Sequence, residues 1–137
     1  MDTGKGNILV VDDDPGLLST MESWLSAAGY SLTVTSVASE ARKLLSDESF
    51  ALVISHYAMP GLSGTDALAL AHMSEADTAV LFTASSDDRE AVAPLVAAGA
   101  DGYVIKPLVK NDLLVHVAKA LEHRRRTVAG GDRKSVV

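Results

Sequence analysis

Residues 51–64 read ALVISHYAMPGLSG. The run from Phe50 to Ile54 is continuously apolar, then stops at Ser55-His56-Tyr57, and a Pro60-Gly61 turn follows. A short unbroken apolar run bounded by turn residues is the pattern of a strand buried on both faces. Such a strand delivers the side chain after its last apolar residue to the rim of a sheet. The residue delivered here is His56.

Two more runs of this kind lie on either side. Ile8-Leu9-Val10-Val11 ends in Asp12-Asp13-Asp14-Pro15, and Ala79 to Phe82 ends in Thr83. Between the runs the apolar residues change period. Leu17, Leu18, Met21, Trp24, Leu25 and Ala28 recur at helical spacing, with Gly29 after them. Val37, Ala41, Leu44 and Leu45 repeat that pattern, residues 65–74 do so weakly, residues 88–98 end at Gly99, and Leu113, Leu114, Val117 and Leu121 mark a last helix. Leu32 and Val34 alternate with Thr33 and Thr35, as in a strand with one wet face, and Tyr103-Val104-Ile105 is a short fifth strand. Five strand–helix repeats predict an α/β fold, a flavodoxin-like (βα)5 doubly wound sandwich with a parallel five-stranded sheet. Continuous runs belong at the centre and the alternating run at an edge, which gives the order 2-1-3-4-5. Pro94 falls inside the fourth helix, where it predicts a kink or a loose first turn.

Size and composition bound the function. A chain of 137 residues, 47% hydrophobic and 22% charged, fits one globular domain. It has no cysteine, so disulfide and thiolate metal chemistry are excluded. No apolar run reaches the ~20 residues of a membrane span, and MDTGKGNILVV does not read as a signal peptide. A cytoplasmic location and no membrane partner are expected. Of the net charge of -6, residues 124–137 contribute a surplus of four positives: Arg124, Arg125, Arg126, Arg133 and Lys134 against Asp132. The body is correspondingly more acidic, so direct nucleic-acid binding by this domain is not expected. The division is a domain over 1–123 and a basic, polar tail or linker start over 124–137, with the RRR run read as a solvated helix end.

Ligands of open α/β sheets sit at the carboxyl ends of the strands. The pattern places Asp12 and Asp13, His56, Thr83 and Lys106 there, the last followed by Pro107. Each alone has an ordinary explanation; Asp14 before Pro15, for example, reads as a helix cap. Together they put reactive groups at the same end of four strands.

ILVVDDDP at 8–15, MPGLSG at 59–64, LFTAS at 81–85 and GADGYVIKP at 99–107 resemble, in order and spacing, the receiver domain of two-component response regulators, over roughly residues 6–123. The resemblance implies that Asp12 and Asp13 are an acidic pair for Mg²⁺. It makes Thr83 and Tyr103 switch positions, Lys106 the phosphate-binding lysine and Lys106-Pro107 a cis peptide. It implies a partner such as a kinase, another receiver or an output domain. It also implies a contact face on the fourth helix, fifth strand and fifth helix, through which a homodimer is one expectation. The family's phospho-accepting aspartate falls four residues before the proline of MP, and that position is His56.

Imidazole cannot form an acyl phosphate, and it removes one negative charge from the pocket. Mg²⁺ prefers oxygen ligands, so its binding is expected to be weak, and no cofactor is required. The resting state expected for His56 is a hydrogen bond or ion pair with Asp12 and Asp13. The reading is a signalling domain that is not an enzyme, is not phosphorylated on aspartate and acts by protein contact. The alternatives are a transition-metal site of Asp12, Asp13 and His56, phosphorylation of His56 itself, and a small aspartate-nucleophile phosphohydrolase using the D-x-D of 12–14. A nucleotide or flavin domain would want a Gly-rich loop where DDDPG stands. His72, His116 and His123 read as surface residues and Trp24 as core.

Overall fold

The structure is a computed structural model that describes residues 6–74 and 77–136, with side chains for 6–73 and 77–127. The main sheet holds β1 (Asn7–Val11), β2 (Ser31–Thr35), β3 (Leu52–His56), β6 (Ala79–Ser85) and β7 (Gly102–Lys106). Its order is β2-β1-β3-β6-β7, and every pairing is parallel. Two further strands, β4 (Ala58–Met59) and β5 (Leu62–Ser63), form a small antiparallel hairpin around Pro60-Gly61. Without that hairpin, the order is the 2-1-3-4-5 expected. Gly61 turns the hairpin at φ +84, a conformation that a side chain would strain.

Strand burial follows position in the sheet. The interior strands β1, β3 and β6 are buried along almost their whole length, whereas β2 and β7 at the edges are half covered. The alternation of side chains then makes two cores. Ile8, Val10, Leu52, Ile54, Leu81 and Val104 face α1 (Pro15–Ala27) and α5 (Lys110–Val136), meeting Leu18, Met21, Leu25, Leu113 and Val117. Leu9, Val11, Val53, Val80 and Phe82 face α2 (Ala38–Asp47), α3 (Gly64–Ser74) and α4 (Arg89–Ala97), meeting Ala41, Leu45, Ala67, Leu68, Val92 and Leu95. Trp24 is half-buried against the first of these cores, in keeping with its sequence reading.

The helix ends are legible residue by residue. Asp14 caps α1, its carboxylate accepting from Gly16 N at 3.0 Å and Leu17 N at 3.2 Å, with Pro15 at the first helical position. A 3-10 turn over Ser86–Asp88 leads into α4, and Pro94 lies inside that helix. At its end Gly99 N donates to Val96 O and Ala100 N to Leu95 O, with Gly99 at φ +125. This left-handed helix stop needs glycine, and it turns the chain so that Asp101 meets β6. The backbone of α5 is helical to Val136, past position 124 where the sequence suggests a tail; Arg133 and Lys134 lie outside the described side chains. Among the described residues, no helix is long and apolar enough to cross a membrane.

Phe82 is the largest fully buried side chain and sits next to Thr83 on β6. Phe82→Ala is expected to cost about 3–5 kcal/mol, the range for truncating a buried aromatic, read as a lower denaturant midpoint. A loss under ~1 kcal/mol would mean the site closes over the cavity without strain.

Candidate functional site

The strand register explains how the pocket is assembled. Asp12 follows β1, His56 ends β3, Thr83 lies in β6 directly opposite His56, and Lys106 ends β7. Each stands two residues after an inward residue of the α1/α5 face (Val10, Ile54, Leu81, Val104), so all four side chains share that face. Tyr103 alternates to the other face and packs half-buried against the α2–α4 core. The sequence-predicted residues therefore divide: Asp12, His56, Thr83 and Lys106 meet, Tyr103 lies behind the sheet, and Asp13 is exposed at the rim. Lys106-Pro107 is cis, as the resemblance implies.

Asp12 is 0% exposed, and a buried carboxylate needs a counter-charge. Lys106 supplies it, with Nζ 2.8 Å from Asp12 Oδ2, while the Asp14 backbone N–H donates to Asp12 Oδ1 at 3.0 Å. The same ammonium lies 3.4 Å from His56 Nδ1. This corrects one expectation: His56 takes Lys106 as its partner, not Asp12 or Asp13. The reason is that lysine carries a permanent charge on a long flexible stem, so it reaches the buried acid and leaves the imidazole a secondary contact. Tyr57 follows and sets its ring edge-on to His56, centroids 5.4 Å apart at 66°. Thr83 is 1% exposed, and its hydroxyl has no hydrogen-bond partner among the described residues.

Among the described residues, no group of three or more His, Cys, Asp or Glu side chains is arranged to hold a metal ion. For a divalent cation, the donors at this end would be the carboxylates of Asp12 and Asp13 and the imidazole of His56. That set fits Mg²⁺ poorly. One carboxylate is engaged by an ammonium, and one donor is nitrogen, where Mg²⁺ wants oxygen.

The sequence profile of the response regulator receiver domain family matches residues 8–118. This chain belongs to that family. PetR of Rhodobacter capsulatus is 30% identical over 96% of this chain and 55% of its own length. The DNA-binding response regulator MtrA of Mycolicibacterium smegmatis is 32% identical over 88% of this chain and 53% of its own. The chain thus spans about half the length of these curated relatives. Among solved structures, a CheY-like response regulator receiver domain protein from Methanospirillum hungatei shares 28% identity over 88% of this chain and 96% of its own, at a TM-score of 0.74. A receiver domain protein from Clostridium thermocellum shares 26% identity at a TM-score of 0.77, covering 87% of this chain and 96% of its own.

A second polar cluster lies at the other end of this receiver's sheet, and sequence reading missed it. Asp101, just before β7, has a fully buried carboxylate held by Val80 N at 2.9 Å, His123 Nδ1 at 2.6 Å and Arg124 Nε at 3.3 Å. Arg124 also donates to Gly99 O at 2.8 Å and is only 12% exposed, so it is not the solvated helix end expected of the RRR run. His72 is half-buried beside this cluster and its Nε2 has no partner among the described residues, which corrects its reading as a surface residue. A signal existed in GADG, where a lone acid follows a helix-stop glycine, but nothing local names its partners on α5.

Two tests follow from these charges. Lys106→Met strands the Asp12 carboxylate and is expected to cost roughly 3 kcal/mol, the low end for breaking a buried pair because Lys106 keeps some exposure. Equilibrium urea unfolding checks it, and an unchanged midpoint would show that Asp12 is neutralised otherwise. For His72, burial chiefly, and then the charge of Arg124, push the imidazole below its ordinary 6.5, outweighing Asp101 and the Thr78 backbone, which act the other way. The folded state therefore resists a proton that the unfolded chain accepts, so stability is lost as pH falls below about 6.5. His72→Gln is expected to flatten the pH dependence of the urea midpoint between pH 7.5 and 5.5. The same slope in both proteins would acquit His72.

Proposed function

We propose that this receiver domain signals without an aspartyl phosphate and acts through contacts with a protein partner, not by catalysis. The observation that carries the reading is His56 at the end of β3, facing the ammonium that neutralises Asp12. By the family resemblance His56 stands at the acceptor position, and an imidazole there cannot become an acyl phosphate. The local geometry also argues against a phosphohistidine. An ammonium can only donate, so the ring atom that faces Lys106, Nδ1, is engaged as its acceptor. A lone pair held by an ammonium is a poorer nucleophile toward phosphorus than a free one.

The same arrangement supports weak Mg²⁺ binding and no required cofactor, because Lys106 already supplies the charge that Asp12 needs. A phosphohydrolase reading is weaker still. It would use Asp14 as the second acid of D-x-D, and both backbone N–H groups at that carboxylate belong to the cap of α1. The partner is a kinase, a second receiver or an output domain, met in the cytoplasm. PetR and MtrA are about twice as long as the region matched, which supports an output domain joined to this chain in the full protein. The contact face we favour is α4, β7 and α5, where Tyr103, Val96 and His116 line one groove, and a homodimer would form there.

Incubation with a small-molecule phosphodonor and Mg²⁺, followed by intact mass, tests the reading. The wild-type chain is expected to gain no phosphoryl group. His56→Asp is expected to gain one, and its thermal midpoint to rise with millimolar Mg²⁺ while the wild type's stays fixed. A phosphoryl group mapped to His56 would overturn the proposal. A variant that binds Mg²⁺ but never labels would show that the pocket has lost more than its acceptor.

A further inference from the structure

We propose that Asp101, His123 and Arg124 form a clamp that fixes the direction in which α5 leaves the receiver body, and so fixes the placement of whatever is joined to that helix. The inference stands on the geometry at the amino end of β6 and does not depend on how His56 is read.

Consecutive helical residues project about 100° apart. His123 and Arg124 nevertheless reach the same carboxylate, Nδ1 at 2.6 Å and Nε at 3.3 Å. Asp101 must therefore lie against the flank of α5 between the two side chains. Grip from both sides fixes the rotation of the helix as well as its position. The carboxylate is itself immobile. Its Oδ2 accepts from Val80 N at 2.9 Å, and the Asp101 N–H returns a bond to Val80 O at 2.8 Å. Arg124 adds a third tie through Gly99 O at 2.8 Å. The clamp thus joins α5 to the backbone of β6 and to the α4–β7 turn.

Position along the helix gives this a consequence. Among the described side chains, the last fully buried apolar residue of α5 is Ala120, and Leu121 is half covered. His123 and Arg124 come next, so the ionic contact is the outermost tie the described side chains make to the body. The helix continues to Val136, roughly 18 Å farther at 1.5 Å per residue. A small turn of the helix at Arg124 becomes a large sweep at its end.

Asp101 is also the kind of group that makes such a tie two-state. A carboxylate with no exposed surface is costly to leave unpaired once the Arg124 guanidinium moves away. Its release therefore has to be accompanied by movement of the α4–β7 turn, not by simple loosening of two side chains.

Amide hydrogen exchange on the full chain tests the clamp, in Arg124→Gln, His123→Gln, Asp101→Asn and the Asp101→Asn/Arg124→Gln double variant. Arg124→Gln is expected to speed exchange of amides 118–127 about tenfold, the scale of one charged hydrogen bond, with β1 and β3 unchanged. His123→Gln, which is more exposed, is expected to do less, and Arg124→Lys to restore part of the protection. The double variant is expected to exchange more slowly than the two single effects combined would give, because both substitutions break the Asp101–Arg124 pair. Additive effects would overturn the clamp. So would acceleration spread evenly over β1, β3 and α5, the mark of a global loss of stability. His123 is 58% exposed, so the test survives through His123→Gln and Arg124→Lys if Asp101→Asn folds poorly.

Discussion

Asp12 carries a charge into a place with no water. Its side chain ends β1 with no exposed surface, and the pocket is organised around neutralising it. The neutralising group comes from β7, which is separated from β1 by β3 and β6. Three strand spacings amount to roughly 14 Å of sheet. Lys106 spans what remains once the twist of the sheet brings the strand ends together, and its path leads over β3 and β6. The residues beneath that path are His56 and Thr83. His56 is therefore near Lys106 by topology, and the 3.4 Å contact follows from where the buried acid and its cation must lie.

The same accounting applies at the opposite end of the sheet. Asp101 is a second carboxylate with no exposed surface, and α5 supplies both side chains that hold it, the His123 ring and the Arg124 guanidinium. Lys106 precedes α5 and Arg124 lies near the end of its packed part, so β7 and α5 form a unit pinned by charge at each end and by Leu113, Val117 and Ala120 between. Apolar contact tolerates sliding, since its energy depends on area and not on direction. Charged hydrogen bonds do not tolerate it. The two buried acids give this half of the fold its register.

Much of this was legible in the sequence because it is written locally. Continuous apolar runs named β1, β3 and β6; alternation named β2; Asp14 before Pro15 named a cap. The convergence of Asp12, His56, Thr83 and Lys106 was legible because strand ends of one sheet must share a rim. The partner of His56 was not, because proximity at the rim does not say which of several groups a lysine stem will reach. The cluster at Asp101 was hidden for a different reason. Its members lie more than twenty residues apart and have no periodic pattern. His72, His123 and Arg124 look like ordinary polar faces of helices until the Gly99 turn places a carboxylate between them.

The neutralisation of Asp12 also explains how a receiver can keep its fold with an imidazole at the end of β3. A third carboxylate at that position would set three acids against one lysine and leave the pocket short of positive charge until a cation bound. With His56 the balance is met within the chain: one ammonium serves the buried acid, and Asp13 faces water. The remaining anomaly is Thr83, whose buried hydroxyl goes without a partner among the described residues. An unmet hydroxyl costs stability, and apolar Val on the same β-branched frame would avoid that cost. The hydroxyl stands directly opposite His56 in the sheet, where an acceptor entering the pocket would complete it.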